Sequence, residues 1–216
     1  MELEVEALFS TPILRVKYPS SIGLNIELHR YFKELESKGD TFRNVTGTPT
    51  VQRNIFESEM NLFSHKEPCV QELRSFMLGT IFSMIKALKS ENDSSDYSKL
   101  INHTWFHITR DRGYVGPHNH PMAAWSAVYY VSSGEIDTSY PDSGCIRFFN
   151  PNQSLGLYRD PSNSNLKLPF SNGMRVLKPE AGTLIVFPSY LSHEVAPFYG
   201  EGERVCVATN CWVANT

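Results

Sequence analysis

A chain of 216 residues with 41% hydrophobic and 20% charged side chains is long enough to bury a sizeable core and too apolar to be disordered. The formal net charge of −3 gives no reason to expect a nucleic-acid partner or a polybasic membrane surface. Four cysteines, Cys69, Cys145, Cys206 and Cys211, form no CxxC pair and no disulfide framework, so reduced thiols and a cytoplasmic location are expected.

Along the chain, residues 1–6 are acidic where a secretory signal would be basic, and no run of about 18 apolar residues follows to span a membrane. Residues 9–16 read as a short strand, and Pro12 places it at a sheet edge, which leaves room for a homodimer. Residues 24–37 predict a first helix, with Leu24, Ile26, Leu28, Tyr31, Phe32 and Leu35 on its apolar face before Gly39 ends it. A second helix begins at Pro68, where the missing N–H costs nothing. Val70, Leu73, Met77, Ile81, Met84 and Leu88 then recur at steps of three and four, which makes the methionines core residues. The polar residues 90–96 close this half as a solvated loop.

After residue 100 the period changes. Strands are predicted at 104–108, 125–131, 145–149, 183–187 and 204–209, separated by Gly- and Pro-rich stretches at 113–117, 139–144, 179–182 and 197–202. Residues 151–173 are polar and turn-rich and read as a long loop or lid. Cys145, Cys206 and Cys211 fall in apolar strands and read as inert small hydrophobes. One domain, 1–216, is expected, with a helix-rich front (1–100) and a strand-rich core (101–216). Many short strands with such turns imply a sandwich or barrel.

Three histidines stand out. His118 and His120 flank Asn119 and, two residues apart in extended chain, share one side. His193 follows a strand and a Pro-Ser turn, where a barrel strand meets its mouth, and Arg204 opens the next β-prone run eleven residues later. Three ligands on one face with open positions suit a non-haem iron(II) site. A buried guanidinium suits a carboxylate. An acid elsewhere (Asp111, Glu135, Asp137 or Asp142) remains an alternative third ligand, because non-haem iron(II) sites commonly pair two histidines with one carboxylate. The faces of strand 125–131 are also open: Trp125, Ala127, Tyr129 and Val131 form one set, and Ser126, Val128 and Tyr130 the other.

The ordered set His118-Asn119-His120-Pro121, Ser126-Ala127-Val128-Tyr129-Tyr130-Val131, Phe149-Asn150-Pro151-Asn152, Phe187-Pro188-Ser189-Tyr190-Leu191-Ser192-His193 and Arg204-Val205-Cys206-Val207-Ala208-Thr209-Asn210 resembles a family of 2-oxoglutarate/iron(II) oxygenases found in bacteria and phages. The opening Leu8-Phe9-Ser10-Thr11-Pro12-Ile13 resembles the family's first strand. The sequence departs from the family pattern at Ala127 (for Gly), Asn150 and Asn152 (for an acid and a base), Cys206 (for Ser) and Tyr190 (for Trp). The resemblance implies a mainly β (α+β) fold, a double-stranded β-helix or jelly-roll core carrying an N-terminal helical layer. It also implies an oxidoreductase, a dioxygenase using Fe(II), 2-oxoglutarate and O2. His118, His120 and His193 would hold the metal, and Arg204, Tyr130, Ser126 and Asn210 would meet the co-substrate. Trp105, Trp125 and Asn102 are candidates for the substrate pocket. The implied reaction is hydroxylation of an unactivated C–H bond of a small molecule or peptide side chain. A three-histidine dioxygenase without 2-oxoglutarate and a non-catalytic jelly-roll binding protein are the rivals.

Overall fold

The computed structural model describes residues 3–46, 49–92, 99–152 and 158–213. Nine strands form one curled, antiparallel sheet: β1 (Leu14–Lys17), β2 (Gln52–Glu57), β3 (Leu100–His118), β4 (Trp125–Ile136), β5 (Ile146–Phe148), β6 (Arg175–Leu177), β7 (Thr183–Pro188), β8 (His193–Val195) and β9 (Gly200–Val213). The strand order is β1-β7-β4-β9-β3-β8-β5-β6, with β2 also on β3. β1 is an edge strand, as Pro12 suggested, although Pro12 itself lies just outside it. The result is the mainly β, jelly-roll architecture expected.

Two helices, α1 (Ser21–Ser37) and α2 (Pro68–Leu88), cover one face of the sheet. In α1 the buried positions Leu24, Leu28, Phe32 and Leu35 form the stripe; Ile26 is exposed instead, because it falls outside that spacing. In α2, Val70, Leu73, Met77, Ile81 and Met84 are buried, and Leu88 emerges at the frayed end. These stripes meet Phe106, Ile108, Tyr129, Val131, Val205 and Val207 in the larger core. Phe32 stacks on Phe106 with ring centroids 4.1 Å apart. Among the described residues, no helix is long and apolar enough to cross a membrane.

The alternation settles which face of β4 turns inward. Tyr129 packs on the helical side and its hydroxyl donates to Asn25 Oδ1 at 2.7 Å. Val128 and Tyr130 belong instead to the second core, inside the barrel, with Ile146, Ile185, Phe187 and Cys206.

The sequence reading broke the chain at 113–117, but β3 runs through that stretch as one strand. It pairs with β9 over residues 100–109 and with β8 at Val115 and His118. The glycine turns a corner there rather than ending the strand. Arg112 has φ 62°, and a Cβ on Gly113 would lie 2.4 Å from Thr109 Cγ2 and 2.8 Å from the Asn54 carbonyl. This corner carries the chain from one layer of the barrel to the other. β2, β6 and β8 were not anticipated, since two have three residues and β2 is mostly polar. The described part of 151–173 contains neither helix nor strand. The loop expected at 90–96 falls mostly outside the described residues.

Candidate active site

Register brings the histidines together. His118, the last residue of β3, is the direct partner of His193, the first residue of β8. His120 joins them just beyond β3, its backbone N–H donating to the Ser189 carbonyl at 2.9 Å. The candidate ligand atoms of His118, His120 and His193 all lie within 4.8 Å of one another, the only such cluster among the described residues. None of the alternative acids joins it. Asp111, Glu135 and Asp137 are exposed, and Asp142 pairs with Arg147.

Two of the rings have a fixed tautomer. His118 Nδ1 lies 2.8 Å from the Gly116 carbonyl, and His193 Nδ1 lies 2.9 Å from the Leu191 carbonyl. A carbonyl only accepts, so each Nδ1 carries the hydrogen and each Nε2 keeps its lone pair for a metal. Burial, with weaker repulsion from His118, holds His120 down at about 4 and His193 at about 3. Burial also lowers His118. All three rings are therefore neutral near pH 7, the form that binds metal.

An inner cavity of about 50 Å³ is lined by all three histidines and by Arg204, Cys206 and Asn210. Arg204 is 2% exposed. Its Nε donates to the Gly144 carbonyl at 3.0 Å, and its guanidinium lies 5.2 Å from the Tyr130 ring. Gly144 fits here because its φ is +62° and a Cβ would stand 3.0 Å from Arg204 Cδ. Among the described residues no carboxylate forms an ion pair with Arg204. The Tyr130 hydroxyl is also buried and without a hydrogen-bond partner. A buried guanidinium without a carboxylate partner is costly, as is an orphaned hydroxyl. Together they fit an incoming carboxylate, so the residues present suit a dicarboxylate beside a metal.

Ser126 and Asn210 face the same cavity. Ser126 Oγ donates to Asn210 Oδ1 at 2.7 Å and lies 2.7 Å from Ser189 Oγ. The single Ser126 hydrogen goes to the amide oxygen, so Ser189 donates to Ser126. The network thus turns the Asn210 amide nitrogen, rather than the Ser126 hydroxyl, into the available donor.

Outside lies a cleft of about 600 Å³ that shares Trp105, His107, His118, His120 and Asn210 with the inner cavity. Trp105 is where the sequence reading put it. Trp125 and Asn102 are not. Trp125 packs against the helix-side core, and Asn102 accepts from Thr104 Oγ1 on that same face. Both fail by parity, since inward residues are odd-numbered on β3 before its corner at Arg112–Gly113 and even-numbered on β4. That parity would have revealed a residue the sequence reading passed over. His107, two along from Trp105, lines both spaces, and its Nε2 is 2.8 Å from Glu57 Oε2. Burial would lower His107, but Cys206 and Glu57 outweigh it and raise it to about 9.

Residues 103–210, half of the chain, match the model of the family described as "Putative 2OG-Fe(II) oxygenase". The chain belongs to this family. The oxygenase is thus an oxidoreductase that uses iron(II) and 2-oxoglutarate, which sets aside the binding-protein reading and the dioxygenase without 2-oxoglutarate. Solved structures share its fold at low identity. A Pseudomonas putida prolyl-4-hydroxylase superposes with TM-score 0.63 and 16% identity, over 94% of this chain and 93% of its own. A Trichoplax adhaerens prolyl hydroxylase in complex with a hypoxia inducible factor peptide fragment gives 0.60 and 13%, over 93% and 83%. HygX from Streptomyces hygroscopicus, with nickel, 2-oxoglutarate and hygromycin B bound, gives 0.58 and 11%, over 95% and 84%. No curated protein matches the sequence significantly.

Proposed function

We propose that His118, His120 and His193 are the iron ligands, that Arg204 and the Tyr130 hydroxyl receive the far carboxylate of 2-oxoglutarate, and that the enzyme hydroxylates an apolar C–H bond. The observation that carries this reading is the buried Arg204 without a carboxylate partner among the described residues, lining the same cavity as the three histidines. Iron(II), once bound with 2-oxoglutarate, supplies oxidation by O2 in which the co-substrate loses CO2 to give succinate.

The chain's own residues do the rest. The Gly116 and Leu191 carbonyls aim the His118 and His193 rings. Gly144 and the Tyr130 ring fix the guanidinium plane so that two parallel hydrogen bonds can form to a carboxylate. Asn210, oriented by Ser126, offers an amide donor at the boundary between cavity and cleft. Trp105, Trp212, Met60 and Met122 give the cleft an apolar wall, which suits an apolar small molecule or a peptide side chain. In their solved structures the Trichoplax adhaerens prolyl hydroxylase holds a peptide fragment and HygX a small molecule, hygromycin B, which supports a peptide or small-molecule substrate without choosing between them. Of the stretch 151–173, Pro151, Asn152, Arg159, Asn172 and Gly173 line a further cleft of about 780 Å³ that shares Asn119 with this one, a position from which they can border a bound substrate.

The test is succinate release from 2-oxoglutarate by iron-loaded protein in air. Slow turnover without substrate is expected, lost in His193→Ala and raised by the correct member of a panel of peptides and apolar small molecules. Iron-loaded, folded protein that never forms succinate contradicts the proposal.

A further inference from the structure

Cys206 is not the inert hydrophobe its strand suggests. On β9 it stands between two cross-strand partners, His107 on β3 and Tyr130 on β4. Arg204, two residues earlier on the same face, donates from Nη1 to its Sγ at 3.6 Å. The thiol is thus a side-chain hydrogen-bond partner of a guanidinium that has no carboxylate among the described residues, and it faces an imidazole held by Glu57. It lines the inner cavity. At about 50 Å³ that space holds one or more water-sized molecules, and it borders the outer cleft. The unpartnered Tyr130 hydroxyl, fully buried beside the same guanidinium, marks this spot as built for a ligand.

We propose that Cys206 is a thiol-modification site governed by the co-substrate: without 2-oxoglutarate its Sγ partners Arg204 and reacts with hydrogen peroxide, and with a carboxylate on Arg204 it is shielded. The second half rests on the reading that Arg204 receives that carboxylate. In the reaction the thiolate sulfur attacks one peroxide oxygen. An S–O bond forms as the O–O bond breaks, sulfur loses two electrons, and the departing hydroxide takes a proton to become water. A second peroxide carries the sulfenate to the stable sulfinate.

The charges favour Cys206 over the other thiols. Burial would raise its pKa, but Arg204 and His107 outweigh burial and bring it to about 7. Burial pushes Cys211 up to about 12 and raises Cys69 and Cys145. Near pH 7.5 Cys206 is mostly thiolate where an ordinary thiol is roughly one-tenth so, which predicts oxidation about tenfold faster.

The experiment treats the metal-free full chain with hydrogen peroxide and maps oxidised peptides by mass spectrometry. It is repeated with nickel(II) and 2-oxoglutarate, whose binding is measured separately by calorimetry. Expected is a gain of two oxygens on the Cys206 peptide, more than tenfold faster than on the other three, slowed at least tenfold by nickel(II) with 2-oxoglutarate and absent in Cys206→Ala. Oxidation of Cys206 no faster than Cys145 and Cys211, with normal 2-oxoglutarate binding, overturns the site and leaves the co-substrate reading intact. Equal oxidation with and without bound 2-oxoglutarate overturns the shielding. Absence of 2-oxoglutarate binding by calorimetry overturns the co-substrate reading and the shielding with it.

Discussion

Replacing Arg204 by methionine separates a co-substrate anchor from a structural arginine, because the two roles move stability in different directions. Methionine keeps an unbranched apolar stem in a site that is 2% exposed. The change removes the bond to the Gly144 carbonyl, the contact with the Tyr130 ring and the bond to Cys206. These are worth about 1–3 kcal/mol together. Against that loss stands the desolvation of a buried cation that no carboxylate offsets, several kcal/mol, which the variant no longer bears. Metal-free Arg204→Met should therefore unfold within about 1 kcal/mol of wild type, a melting shift of roughly 2–4 °C for a chain of this size. Binding of 2-oxoglutarate, by contrast, loses two charge-assisted hydrogen bonds of about 1.5–3 kcal/mol each. The total of about 3–6 kcal/mol weakens it roughly a hundredfold to ten-thousandfold. Urea unfolding of the metal-free protein and calorimetry with nickel(II) and 2-oxoglutarate read the two quantities. A variant destabilised by more than about 3 kcal/mol that still binds 2-oxoglutarate normally would refute the argument.

Two further outcomes follow from the same geometry. Gly144→Val puts a branched side chain at a φ of +62°, where its Cβ meets Arg204 at 3.0 Å. It should lower both the melting temperature and the 2-oxoglutarate affinity, the latter about tenfold through displacement of the guanidinium, and calorimetry showing unchanged affinity would count against the role of Gly144. The pH dependence of the metal-free fold has two arms. His120 and His193 lie at about 4 and about 3 in the fold, below the unfolded value of about 6.5, so the unfolded chain takes up more protons and stability falls as pH drops from 6.5 toward 4. His107, raised to about 9, contributes fully below 6.5 and loses that contribution as pH rises through 9. Urea midpoints across pH should peak near neutrality, and stability rising steadily down to pH 4 would show that the histidines are not buried neutral.

The sequence carried the fold wherever its periodicity was sustained over several turns or residues. The α2 stripe from Val70 to Met84 emerged on the correct face, and the β-prone runs of β4, β7 and β9 emerged with approximate bounds, the inward face of β4 being left open. It misjudged Gly113, because a glycine that turns a corner within a strand leaves the same local signal as one that ends it. Only the pairing of β3 with both β9 and β8 distinguishes them. The histidines could be grouped by spacing and resemblance, but the contact of His118 with His193 depends on the β3–β8 register, which no local pattern encodes. Trp125 and Asn102 were placed in the pocket as aromatic and amide residues near the motif, and one extra step of alternation turns each to the helical face. The partnership of His107 with Glu57 joins residues 50 apart in sequence and could not be read from either strand alone.

The most direct test of the account is anaerobic titration of the metal-free protein with iron(II) and then 2-oxoglutarate, following the weak visible charge-transfer band of the chelate. The account predicts a band in wild type and none in His118→Ala, His120→Ala or His193→Ala, each variant still folded by circular dichroism. An undiminished band in any one of the three folded variants would contradict it.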